Sequence, residues 1–264
     1  MTSEGADMEP DRRGGATGQP RETVAAIDEA GRQLRAPFAA GLAGLLFAVL
    51  FTAALVLLRS QPMTTASDAE IARIFATGGD LPIVIGGLYL APFSGIMFLW
   101  FVAVVRDQIG EREDRFFATV FFGSGLLFVA LLFVAAATAS AVVVGVRYLG
   151  QAPPPAGLVG ALRALSYTVL FAFSTRAGAV FLISLGTIGL RSRTFPNWFA
   201  WSGYLFGLLL FVAVAFLDWV VLVLPAWVAV VSLFILRREW PRRARGTAAG
   251  RATEGSSSAS PPTE

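Results

Sequence analysis

Few residues in this chain combine a chemically useful type with a useful position, and one arginine stands apart. Arg176 lies within an apolar stretch, 12 residues after Ala164 and 14 before Leu190. Insertion scales put a guanidinium at bilayer mid-depth at a cost of roughly 2.5–3.5 kcal/mol, so such a group faces a bundle interior or a wet cavity. Tyr167, Ser174 and Thr175 precede it on the same stretch, and Ser184 and Thr187 follow. Arg176, Tyr167, Ser174 and Thr175 are therefore the candidate contacts for an anion or polar substrate. The structural alternative is that Arg176 pairs with Asp218, meets backbone carbonyls freed near Pro92, or snorkels along a tilted helix. No other apolar stretch contains an acid and Asp218 sits at a turn, so the structural alternative is the favoured one.

A second cluster is Asp107, Glu111, Glu113 and Asp114, interleaved with Arg106, Arg112 and Arg115. Carboxylates this close suit Mg²⁺ or Ca²⁺. Their spacing matches neither an EF-hand nor the paired-Asp pattern of lipid-headgroup transferases, and the arginines neutralise most of the field. A solvated turn of mixed charge is the preferred reading, with a lipid-modifying enzyme using Asp107 and Asp114 the weakest of three functional hypotheses.

The chain has no Cys, His or Lys, so its basic residues are 21 arginines. That removes disulfides, thiolate nucleophiles and Cys-type zinc sites. It also removes Ser-His-Asp catalysis, axial His for haem, Walker A loops and Schiff-base chemistry. Catalytic residues, cofactors and metal ligands are accordingly expected to be none, and the reading leans away from an enzyme.

The elements that must position these residues follow from hydropathy. Of 264 residues, 55% are apolar and 15% charged, and the 200 residues from 37 to 236 carry only 18 charges. Six apolar runs, 37–58, 81–105, 116–146, 164–190, 198–217 and 219–236, approach or exceed the ~20 residues that cross a ~30 Å hydrocarbon layer. The fold class is thus all-α: a polytopic transmembrane bundle of six spans, between a cytoplasmic tail 1–36 and a basic cytoplasmic tail 237–264, both mostly disordered. The first apolar run starts at residue 37 after a polar stretch, and reads as an uncleaved signal anchor. Residues 198–236 are interrupted only by Asp218, which favours a tight hairpin there over one overlong helix. Counting arginines in alternate loops places 16 in the two tails and loops 106–115 and 191–197, against four at 59, 73, 147 and 163. The positive-inside rule then puts both termini in the cytoplasm and the protein in the plasma membrane as a multi-pass species. Trp198, Trp201 and Trp240 fall near the cytoplasmic interface and Trp219 near the outer one, as an aromatic belt does.

The shorter elements are equally specific. Residues 1–20 and 241–264 are polar and small, too poor in apolar surface to order themselves. Thr23 to Ala36 spaces Val24, Ile27 and Leu34 for a short interfacial helix or an extension of the first span. Ser67-Asp68-Ala69-Glu70 fits a capping box, Ile71, Ile74 and Phe75 share one face, and Gly78-Gly79 ends the segment. A two-turn helix over 67–76 that caps an external cavity or covers helix ends is expected. Gly86, Gly87, Gly95, Gly123, Gly125, Gly178 and Gly186 suit close helix packing. Arg237, Arg238, Arg242, Arg243 and Arg245 suit topology determination and contact with anionic lipid. The bilayer is the expected partner, with a homo-oligomer required if a pathway is to form between so few helices. Nucleic acid is not expected, because membrane topology already accounts for the basic excess.

The run Arg191-Ser-Arg-Thr-Phe195-Pro196-Asn-Trp198-Phe-Ala-Trp201-Ser-Gly203 resembles a broad family of uncharacterised bacterial six- or seven-pass integral membrane proteins, a domain of unknown function. In these a helix ending in Arg precedes Pro-x-Trp and a Gly-containing helix. The resemblance covers residues 164–240 and implies an architecture without implying an activity or site residues. The combined expectation is a non-enzymatic integral membrane protein of structural or regulatory role. The alternative is a small-solute or anion transporter with Arg176 in a polar pathway.

Overall fold

The computed structural model describes the backbone of residues 19–59, 66–109, 115–192, 197–212 and 219–237. It describes the side chains of 38–59, 66–106, 116–191, 197–212 and 219–237. All regular structure among these residues is helical, as lipid demands, because a helix satisfies its backbone polar groups within its own segment. In order they form α1 (Gln19–Arg59), α2 (Asp68–Thr77), α3 (81–109), α4 (Arg115–Arg147), α5 (156–192), α6 (Asn197–Val212) and α7 (Val220–Arg237). Five stretches are long and apolar enough to cross a membrane: Phe38–Arg59, Leu81–Arg106, Phe116–Arg147, Ala156–Arg191 and Val220–Arg237. The protein is therefore a helical, multi-pass membrane protein. α6 has 16 described residues, and the expected turn at Asp218 lies outside the described residues.

One expectation is decided and one boundary differs. α1 runs unbroken from Gln19, so of the two readings of residues 23–36 the extension of the first span is the one found, and the helix begins at residue 19. Residues 1–18 and 238–264, including Arg238, Arg242, Arg243 and Arg245, lie outside the described residues. α5 begins at Ala156, eight residues before the expected start at 164. Arg163 counts among the loop arginines in the sequence reading. The guanidinium is instead accommodated inside the helix by donating to the Leu58 carbonyl at 3.0 Å.

α2 forms where its caps are written. The Ser67 hydroxyl accepts from the Glu70 amide at 3.3 Å, and Gly78, at φ 75°, donates its N–H to Ile74 O. That left-handed conformation is one glycine adopts without the Cβ penalty of other residues. The Glu70 carboxylate faces Arg73 at 3.6 Å. Ile71, Ile74 and Phe75 are buried against Ile83, Val143 and Val159, so α2 lies over the ends of α3, α4 and α5.

The long helices close a ring. α1 packs on α3, α3 on α4, α4 on α5 and α5 on α6. α7 completes it, with Trp227 against Phe199 of α6 at 5.0 Å between ring centres and Leu236 and Ser232 against Gly41 and Gly44 of α1. Phenylalanines from four helices fill the centre. Phe98 lies 4.7 Å from Phe47, 5.0 Å from Phe128 and 5.0 Å from Phe181 by ring centres, and all four are buried to 1% exposure or less. α5 and α6 approach backbone to backbone: a Cβ on Gly186 would stand 2.9 Å from Ala200 O, and one on Gly203 2.9 Å from Leu182 O. Small residues at such crossings let dispersion act over the whole contact, the main attraction available between helices in lipid.

Candidate functional site

Below α2, between the C-terminal end of α1 and the first turns of α5, is a cavity of about 360 Å³, within the ~300–1,000 Å³ of small-molecule sites. The back wall is α4, through Thr138, Ala139, Val142 and Val143. Leu58, Ile83, Val142, Val143 and Val159 belong both to this wall and to the cluster under α2, so they lie between α2 and the cavity.

Several anchors hold the two sides apart and in place. The Asp68 carboxylate at the start of α2 accepts the Ala156 amide at 2.6 Å, fixing where α5 begins. Seven residues later Arg163 reaches across to Leu58 O, one of the last-turn carbonyls that α1 cannot satisfy itself, and its charge complements the negative end of that helix. Arg59, the last residue of α1, lies 5.1 Å from the centre of the Phe171 ring and 5.2 Å from that of Trp219. Two aromatic faces lower the cost of keeping a guanidinium out of bulk water. Tyr167 stacks on Phe171 with centroids 4.0 Å apart.

Arg59 and Arg163 both line the cavity, and no carboxylate does among the described residues. Two of the three hydroxyls in the wall are oriented by the backbone: Ser166 donates to Ala135 O and Thr138 to Val134 O, each at 2.7 Å. Among the described residues the charged groups of this wall are two guanidiniums, and Arg163 keeps N–H donors beyond the one given to Leu58 O. Guanidiniums at a partly buried wall are the chemistry that recognises anions. The described wall has no nucleophile paired with a base.

Asp80, at this end of the bundle, is committed elsewhere. Asp80, 2% exposed, accepts from Arg147 Nε at 2.9 Å and Nη2 at 2.6 Å, and the same Nη2 donates to Phe75 O at 2.8 Å. This fork ties α4 to the end of α2. The hydrogen bonds from Arg147 hold the Asp80 carboxyl below its ordinary range, since they favour the charged form.

α3 and α5 each contain a π-helical segment, Val84–Leu90 and Val169–Ser174; such wide turns are frequent at functional sites. The second directs Leu170 and Phe171 to the cavity. The carbonyls around it are taken by side chains: Thr175 donates to Phe171 O, and Arg176 Nη1 donates to Ala172 O at 2.5 Å. Of the four residues expected to share a site, Tyr167 lines the cavity, whereas Ser174, Thr175 and Arg176 lie outside its wall. Ser174 is buried and donates to Phe128 O on α4 at 3.2 Å. The guanidinium of Arg176 folds back on its own helix; of the structural alternatives weighed for it, Asp218 lies outside the described residues. Arg237 is exposed. The side chains of Asp107, Asp114 and Asp218 lie outside the described residues.

Sequence reasoning missed Arg59, Arg163 and the Asp80–Arg147 pair. The available signal was the scarcity of arginine on the side of the chain that carries the α2 loop: only four stand there, and two of them line one cavity. The chain matches no protein-family model, no curated protein and no solved structure.

Proposed function

We propose that the chain is a six-span protein of the cytoplasmic membrane, with both termini cytoplasmic, that works without catalysis by holding an anionic ligand at the outward end of its bundle. The orientation rests on 16 arginines on one face against four on the other, the richer face remaining cytoplasmic. α6, apolar along its 16 described residues, supplies the sixth span in this reading. The same architecture is implied by the resemblance, over residues 164–240, to bacterial six- or seven-pass proteins of unknown function.

The observation that carries the function is the contrast along the bundle axis. One end holds a cavity with two guanidiniums and no carboxylate in its described wall; deeper in, Phe47, Phe98, Phe128 and Phe181 fill the middle. A ligand-holding or regulatory role follows more directly than transport, because a pathway past Arg176 needs the space that these rings occupy.

The chain lacks cysteine, so a single introduced thiol reports cleanly. S166C, in intact cells, should react several-fold faster with an anionic methanethiosulfonate than with a cationic one, and R163Q should reduce that ratio. Equal rates, or a preference for the cationic reagent, would refute the reading.

A further inference from the structure

We infer that the occupant of this cavity is a small water-soluble organic acid with one carboxylate and an aromatic or branched apolar body, the carboxylate on Arg163 and the body against the α4 wall. The inference rests on the ligand-holding reading and deepens it by naming the ligand class. Arg163 is half-buried and gives an Nη2 N–H to Leu58 O at 3.0 Å. The described residues supply it with no carboxylate. One carbonyl satisfies one of the five N–H donors of a guanidinium, and a charge withdrawn from water without a counter-charge is costly. The donors that remain form the planar fork that takes a carboxylate bidentately.

The rest of the wall selects the body and the charge of the ligand. Ten of the fifteen lining residues are apolar, among them Ala139, Val142 and Val143 of α4 and Val159 and Leu162 of α5. Ser166 and Thr138 spend their hydroxyl protons on Ala135 O and Val134 O, so they offer an occupant only oxygen lone pairs. Inorganic phosphate or sulfate would shed its hydration here for too few donors. An anion with one charged end and an apolar body gives up little water and buries that body. The volume of about 360 Å³ is near the lower bound of small-molecule sites, which suits a single ring or a short branched chain. Such a ligand exchanges with water, so the wall stays within reach of soluble thiol reagents whenever the site is empty. Arg59 keeps its contacts with the Phe171 and Trp219 rings and has no part in holding the carboxylate.

S166C in the purified full-length chain reads occupancy, because Ser166 belongs to the same wall. Its modification by methyl methanethiosulfonate, an uncharged reagent, is timed while benzoate, 3-methylbutanoate, acetate, benzyl alcohol or inorganic phosphate is titrated to about 50 mM, which covers millimolar binding. At ten times its dissociation constant a ligand leaves about one site in eleven empty. Benzoate or 3-methylbutanoate should therefore slow modification about tenfold, and the other three should leave the rate within about twofold. R163Q/S166C should lose the protection. Because R163Q also removes the cap on Leu58 O, A139F provides an independent arm: it keeps Arg163 and its hydrogen bond and puts a ring where the ligand's body would lie. Benzoate at the same saturation should raise the wild-type Tm by about 3 °C and leave that of A139F unchanged. Equal protection by benzyl alcohol would show that the carboxylate plays no part, and equal protection by acetate or phosphate that the apolar body plays none. Full protection in R163Q/S166C, or an undiminished Tm rise in A139F, would place the acid elsewhere; each of these results overturns the assignment. No protection by either acid while S166C keeps its preference for the anionic reagent in cells sinks this inference alone; loss of that preference sinks the underlying reading.

Discussion

Breaking the fork between Asp80 and Arg147 should destabilise the α2 end asymmetrically. The Asp80 side chain is 3% exposed and that of Arg147 41%, so the partner left behind meets different surroundings. In D80N the amide keeps the carboxyl's shape, and the half-exposed Arg147 turns to water. The loss is one charge-assisted interaction, about 1.5–3 kcal/mol, taken at the lower end because the guanidinium is already partly solvated. For a chain of this size that is about 3–6 °C in Tm. R147Q instead strands a carboxylate in an apolar cluster, and its Tm should fall further than that of D80N. The pH dependence gives the sign. In the wild type Asp80 is held below its ordinary value of 3.8, so its contribution is present above that pH and is lost as pH falls through the folded-state value. In R147Q burial is the larger of the influences left on Asp80 and is only partly offset by its backbone hydrogen bond, so its folded-state value rises, and stability is highest in acid and declines as pH rises. Thermal unfolding of purified protein between about pH 5 and pH 8 should show R147Q losing Tm with rising pH, with wild type, D80N and D80N/R147Q flat over that window. If R147Q matches D80N and shows no slope, Asp80 is not a buried carboxylate held by Arg147.

The packing makes further predictions. G203V should lower Tm more than G123V, because a Cβ on Gly203 meets Leu182 O at 2.9 Å whereas one on Gly123 meets nothing within 4 Å; overpacking costs about 1–3 kcal/mol, and equal Tm values would mean α5 and α6 are not in backbone contact. F98A removes the ring that touches Phe47, Phe128 and Phe181, and denaturation midpoints should report a loss of about 3–5 kcal/mol. A loss under about 1 kcal/mol would mean the centre collapses readily or was never filled.

The span ends were legible because charge marks them. Arg59, Arg106, Arg147, Arg191 and Arg237 close the five long apolar helices, and Ser67 and Gly78 bracket α2 as capping chemistry requires. What periodicity does not carry is pairing across the chain. Asp80 and Arg147 are 67 residues apart and Arg163 and Leu58 105, so neither partner is visible along a single helix. Arg163 looked like a loop charge until a carbonyl from another helix end was in reach. The same local view made Arg176 look like a site residue, since a charge amid apolar neighbours stands out in a sequence. Its hydrogen bond to Ala172 O uses a side-chain length and a π turn that hydropathy does not register.

The central claim is that the bundle is open to water at its α2 end and filled at its middle. Single cysteines placed in turn from Leu170 to Ser184, labelled in intact cells by a small membrane-impermeant thiol reagent, test it most directly. L170C and F171C, in the cavity wall, should react, and reaction should stop before A177C and resume only when the membrane is dissolved. Labelling with a helical period that continues past Arg176 would contradict the account: it would place a water-filled path at mid-membrane and make transport the function to pursue.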